Sequence, residues 1–155
     1  MSLETDSIFI AAISSNAELM AELGRTSKKP ARLYSTAIPL PDDKADNEPV
    51  PFVIVSLDGL TNDQTTKDDP YESDSDQVNI GIMVAASNRA KLATLAKMIR
   101  ETVHQYMMEN ETPVEDYQFS AEAVQYDSLK PCYWQALVYQ CDVINLTNND
   151  NDEQD

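Results

Sequence analysis

The sequence predicts an α+β fold: a mostly antiparallel sheet of four to five strands, with two helices packed on one face. Three observations lead there. The chain has 155 residues and is 42% hydrophobic, enough for one domain with a real core. Val78, Ile80, Ile82 and Val84 alternate with Asn79, Gly81, Met83 and Ala85, which is the two-residue period of a strand. Directly after them Leu92, Leu95, Ala96, Ile99, Val103, Tyr106 and Met107 recur at three- and four-residue spacing. That is the stripe of a long helix with one buried face, placed over residues 88–109 and about 30 Å in length.

The remaining elements follow in chain order. Asp6 to Leu23 reads as helix in two pieces, interrupted at Ser14-Ser15-Asn16. Asn16 suits the cap of the second piece and Gly24 its left-handed end. Arg32 to Ile38 reads as a short strand that Pro39 and Pro41 terminate. Phe52 to Leu57 is a continuous apolar run, as expected of a central strand. Asp58 to Ser75 is polar, acidic and long for a connection, so a hairpin arm or a mobile loop is expected. Ser87 or Asn88 suits the start of the long helix. Tyr117 to Tyr126 and Cys132 to Ile144 read as the last two strands, with a turn at Asp127–Pro131 between them. Residues 1–146 thus form a single domain, and the acidic stretch 147–155 is expected to be disordered.

The net charge of −16 is unevenly placed. Asp42 to Asp76 holds 11 acids and 2 lysines, and the last eight residues hold 4 acids; elsewhere 12 acids face 9 basic residues. Specific nucleic-acid binding is therefore not expected, since phosphate contact needs a basic surface. No apolar run is long enough for a membrane span, and MSLETDSIF carries no basic residue of the kind a secretory signal needs. Cys132 and Cys141, nine residues apart on one strand, stand about 30 Å apart on opposite faces and are read as free thiols of a reducing cytoplasm.

Catalytic chemistry is hard to write from these residues. The single histidine, His104, sits at the edge of the helical stripe and reads as a boundary residue. No Ser or Cys has a nucleophile-elbow context, and three glycines cannot make a phosphate loop. The Asp/Asn clusters at 58–69 and 148–153 lack the turn glycine and the closing glutamate of a calcium loop at the required spacing. The aromatics Tyr117, Phe119, Tyr126, Tyr133, Trp134 and Tyr139 read as packing, because only Lys130 interleaves with them. No enzyme activity, cofactor or metal is expected.

With four particular stretches, the order of elements resembles the tail completion (tail terminator, minor tail) proteins of long-tailed phages and prophages. Leu19 to Gly24 and Arg25 close the first helical region. Leu33-Tyr34 is followed by Ile38-Pro39 and then by Pro51-Phe-Val-Ile-Val55. Val78-Asn-Ile-Gly-Ile82 leads through Ser87 into an Ala/Leu-rich helix, and Trp134 to Val143 closes the sheet. The likeness spans Ile8 to Ile144; the acidic excursion at 61–76 and the acidic tail lie outside it.

The resemblance implies a virion protein, assembled in the host cytoplasm, that caps the tail tube. It implies a homo-oligomeric ring, commonly a hexamer, with the tail tube and head-connector proteins as partners. A ring needs two different contact patches per subunit. The 58–76 segment is the candidate arm or lumen surface, with Asp58, Asp63, Lys67, Asp68, Asp69, Tyr71 and Asp74 as its interface residues. An acidic lumen would repel DNA phosphates and let a genome slide. The alternative is an acidic DNA mimic that inhibits a basic host enzyme, which the net charge suggests. A mimic, however, needs its acids spaced along folded elements, whereas these cluster in segments read as loops.

Overall fold

The computed structural model describes residues 4–35, 49–62, 75–128 and 131–144. Among the described residues there are three helices and six strands: α1 (Thr5–Ser14), α2 (Ala17–Glu22), β1 (Leu33–Ser35), β2 (Phe52–Asn62), β3 (Ser75–Ala86), α3 (Arg89–Glu109), β4 (Val114–Ala121), β5 (Gln125–Asp127) and β6 (Cys132–Ile144). The α+β class holds, and the helices pack on one face of the sheet.

Local chemistry sets the helix limits. Asn16 caps α2 by accepting from the Leu19 N–H at 3.1 Å. Asn88, rather than Ser87, caps α3 by accepting from the Lys91 N–H at 2.8 Å. Gly24 ends the α2 turn with φ of 91°, and the Arg25 N–H reaches back to the Met20 carbonyl at 3.0 Å. Glycine is doubly required there, because a side chain would also run into the Arg32 guanidinium. Arg32 in turn donates its Nε–H to the Pro51 carbonyl at 2.9 Å, and its own carbonyl accepts from Val53 at 3.0 Å. One arginine thus ties the end of the helical layer to the start of β2.

The strand order is β1-β2-β3-β6-β4, with β5 also pairing to β6. Four of the five pairings are antiparallel, but β1 pairs parallel to β2. The sheet is therefore mixed. Residues 36–51 between the two strands supply the long connection that parallel pairing demands. Six strands replace the expected four to five because Tyr117–Tyr126 is not one strand. β4 starts earlier, at Val114, and residues 122–124 break the ladder before β5. β2 also runs past Leu57, where the sequence suggested a loop. A bulge at Asp58 absorbs one residue, and pairing with β3 continues to Asn62 opposite Asp76. The hairpin-arm reading of this region thus holds at its base. The stretch 147–155, expected to be disordered, lies outside the described residues.

Register decides which residues meet. Val55, Ile82 and Leu137 line up across three strands, and so do Leu57, Ile80 and Tyr139. With Val53, Val78, Val84, Cys141 and Val143 they form the face that the helices cover. From the helical layer come Phe9, Ile13, Leu19, Leu23, Leu92, Leu95, Ile99 and Val103, all buried. Each such side chain contributes about 1.5–3 kcal/mol by leaving water. Cys132 and Cys141 are both buried and free.

Candidate functional site

Besides a depression between α2 and α3 lined by Asn16, Glu18, Thr102, Gln105, Glu109 and Asn110, two surfaces of the described structure carry grouped polar chemistry. The first is the sheet face turned away from the helices. Strand alternation places on it Phe52, Ile54 and Ser56 of β2, their β3 partners Ala85, Met83 and Gly81, and Trp134, Ala136 and Val138 of β6. Phe52 and Ala85 are buried, while Ile54, Met83, Trp134, Ala136 and Val138 are half-buried. One end of this face is therefore apolar. The other end is polar: Asn79, Gln140 and Gln118 share one rung, and Gln77, Asp142 and Asp116 another. Asp58, Asn79, Gln118, Ser120, Glu122 and Gln140 line a shallow depression there of about 620 Å³.

Asp58 continues the alternation of Phe52, Ile54 and Ser56 onto this face and is the unpaired residue of the bulge. Its carboxylate accepts from the Ser56 hydroxyl at 2.6 Å and lies over the backbone of Gly81. Of the residues the sequence singled out as an interface or lumen, Asp58 is the one the structure describes. Asp63, Lys67, Asp68, Asp69, Tyr71 and Asp74 lie outside the described residues. The amides of this depression were not foreseen. Their signal was present as polar residues at every second position, Gln77 and Asn79 in β3 and Gln140 and Asp142 in β6.

The second surface is a groove of about 650 Å³ between α3 and β4, lined by Lys97, Arg100, Glu101, His104, Tyr117, Phe119 and Tyr139. α3 places Lys97, Arg100, Glu101 and His104 on its exposed side by helical spacing. β4 supplies Tyr117 and Phe119, and β6 supplies the floor. The Arg100 guanidinium carbon lies over the Phe119 ring, 4.5 Å from its centre. Lys97 and Glu101 pair at 3.9 Å, both well exposed, which contributes little. The Tyr117 hydroxyl is 2.6 Å from His104 Nδ1. Burial, with smaller contributions from Cys141 and Asp116, raises the Tyr117 pKa and keeps the phenol protonated. In the Nε2–H tautomer the phenol donates to Nδ1 and Nε2–H remains a donor; in the Nδ1–H tautomer the phenol oxygen accepts from Nδ1–H. His104 is exposed, one step outward of the boundary position the sequence suggested.

Tyr139 packs its ring against Phe9, Tyr117 and Phe119 at 5.0, 5.8 and 5.2 Å. These aromatic residues pack together, the role the sequence assigned them for want of interleaved basic residues. The Tyr139 hydroxyl is fully buried and has no hydrogen-bond partner. Burial, and then the neighbouring Tyr117, pushes its pKa well above the ordinary value. Chemically the groove offers cationic and N–H donors above an aromatic floor, which suits it to hold carboxylates.

No family model matches the chain, and no curated protein matches it. Among solved structures it is similar to a chain from "Virion of native gene transfer agent (GTA) particle", with a TM-score of 0.59 and 13% sequence identity. The match covers 90% of this chain and 93% of that chain, so the two share one fold over nearly their whole lengths.

Proposed function

We propose that this chain is a structural subunit of a phage-like virion and that it completes the tail tube. In this reading identical copies close into a ring that caps the tube and meets the head connector. The observation that carries it is the fold match to a chain of an assembled virion over 90% of this chain. The order of elements and the stretches from Leu19 to Val143 that resemble tail completion proteins support the finer role. So does a sheet face that no described element covers, with half-buried Ile54, Met83 and Trp134, because ring closure needs surface left over for neighbours.

The polar end of that face, with Asp58, Asp116 and Asp142, is the part suited to a lumen. Carboxylates there would repel DNA phosphates. Solution mass of the full chain as a function of concentration, by native mass spectrometry and light scattering, tests the reading. A discrete ring is expected. A particle that stays monomeric at high concentration and binds basic proteins would overturn it in favour of an acidic mimic. Asp58→Lys, with lysine also replacing Asp116 and Asp142, is expected to impair DNA passage while leaving assembly intact. Unchanged passage would remove the lumen idea.

A further inference from the structure

We propose that the groove between α3 and β4 receives the acidic 63–74 segment of a neighbouring copy, whose carboxylates pair with Lys97 and Arg100 and accept from His104. The proposal rests on the ring reading for its neighbour, and it names one contact of that ring.

Charge is the first argument. The chain carries 27 acids against 11 basic residues, yet the groove gathers Lys97, Arg100 and His104 against one acid, Glu101. The 63–74 segment is its opposite, with five acids (Asp63, Asp68, Asp69, Glu72 and Asp74) and one lysine, Lys67. Juxtaposed charges of this kind set which surfaces meet and in what register.

Preorganisation is the second. Arg100 is already laid on Phe119, and His104 is already oriented by Tyr117, so little freedom is lost when an anion arrives. Beneath them Tyr139 keeps a buried donor with no partner, a group whose burial is costly until something accepts from it. Among the described residues β4 is also the last strand of the sheet, with no strand paired on its outer edge, although the Tyr117 N–H there already donates to Asp116 Oδ1 at 2.8 Å.

The ring reading supplies the neighbour. The 63–74 segment joins Asn62 to Ser75 at the end of the β2–β3 ladder, where Asn62 pairs with Asp76 on the rung of Val143 and Val114. The groove lies farther back along the sheet, at Tyr117–Cys141 and Phe119–Tyr139. Docking into a neighbour's groove couples the contact to assembly, whereas docking into the same copy's groove would not.

Full-length variants test this. Lys97→Glu with Arg100→Glu reverses the groove; Asp68→Lys, Asp69→Lys, Glu72→Lys and Asp74→Lys reverse the segment. Each set alone is expected to raise the concentration of half-assembly by roughly tenfold or more, and the two sets combined to restore it. Unchanged melting temperatures separate lost contact from lost fold. Wild-type assembly by the groove variant would overturn the proposal and leave the ring standing. If the wild-type chain never assembles, the ring reading fails, and the groove is judged directly. A labelled peptide of residues 61–76 is then titrated into the segment-reversed chain. Salt-sensitive binding that disappears on adding the groove substitutions supports the proposal, and absence of binding overturns it.

Discussion

The Asn16 side-chain amide donates to the Thr102 hydroxyl at 2.9 Å, joining residues 86 apart in sequence. The same side chain accepts from Leu19 N–H, so one asparagine both starts α2 and fastens it to the middle of α3. Thr102 is among the few buried polar residues of the described structure, which gives the bond weight. Asn16→Ala removes the cap and leaves Thr102 unpaired at once. It is expected to cost about 1–2 kcal/mol, or roughly 2–8 °C in melting temperature for a chain of this size. Thr102→Val, which keeps the cap, should cost less. Equal losses in thermal melts of the two variants would show that the cap contributes nothing.

Gly81 and Asp58 form a second coupled pair. A Cβ at Gly81 would stand 3.0 Å from Asp58 Cγ and 3.1 Å from Ser56 Oγ. Asp58 is exposed and can swing away, at the expense of its bond from Ser56. Gly81→Ala is therefore expected to cost no more than about 1 kcal/mol. In an Asp58→Ala background the cost should shrink, since only Ser56 Oγ, 3.1 Å from the added Cβ, remains in the way. Urea denaturation of the four-member cycle measures this; additive effects would mean the two residues do not interact.

Where a segment had one face to bury, its pattern in the sequence was plain. The β3–α3 unit was legible because alternation at Val78–Val84 and helical spacing at Leu92–Val103 leave no competing period. α1 was harder: Ile8, Phe9, Ile10, Ala11 and Ile13 are apolar on every side, so spacing did not mark Phe9 as the residue that meets Tyr139. The end of β2 was hidden because the bulge at Asp58 breaks alternation and the residues after it are polar. The groove was invisible for a different reason. His104 and Tyr117 are thirteen residues apart on different elements, and only tertiary packing puts Arg100 on Phe119. Sequence spacing reports neighbours on one helix or strand, not those across two.

Tyr139 offers a test of an unsatisfied buried group. Its hydroxyl adds the cost of desolvation without a bond to offset it. Tyr139→Phe keeps the ring contacts with Phe9, Tyr117 and Phe119 and removes that cost. In the isolated subunit the variant is expected to be as stable as the parent or more stable by up to about 1 kcal/mol. The midpoint in urea should rise with an unchanged slope. A clear loss of stability would mean that the hydroxyl has a partner in solution.

The same interior sets the response to alkali. Burial, with a smaller contribution from Asp142, pushes the Cys141 thiol from 9.0 up to about 12. Tyr139 is likewise raised above its ordinary value of 10.0. In both cases the fold holds the neutral, protonated form more tightly than the unfolded chain does. The associated stability is fully present below pH 9. It declines as pH rises toward 12, first through Cys141 and then, above pH 10, through both groups. Each group contributes a slope of about 1.4 kcal/mol per pH unit at most. Chemical denaturation at stepped pH is expected to show a plateau up to pH 9 and a fall beyond it that steepens past pH 10. Cys141→Ala should lower the plateau through its cavity yet flatten the first part of the fall. The thiol itself supplies an independent measure. Held protonated and buried, Cys141 should resist a thiol reagent at pH 8 in the folded chain and react fully after unfolding. Rapid native reaction at that pH would place the side chain in contact with solvent and remove the basis for the alkaline slope.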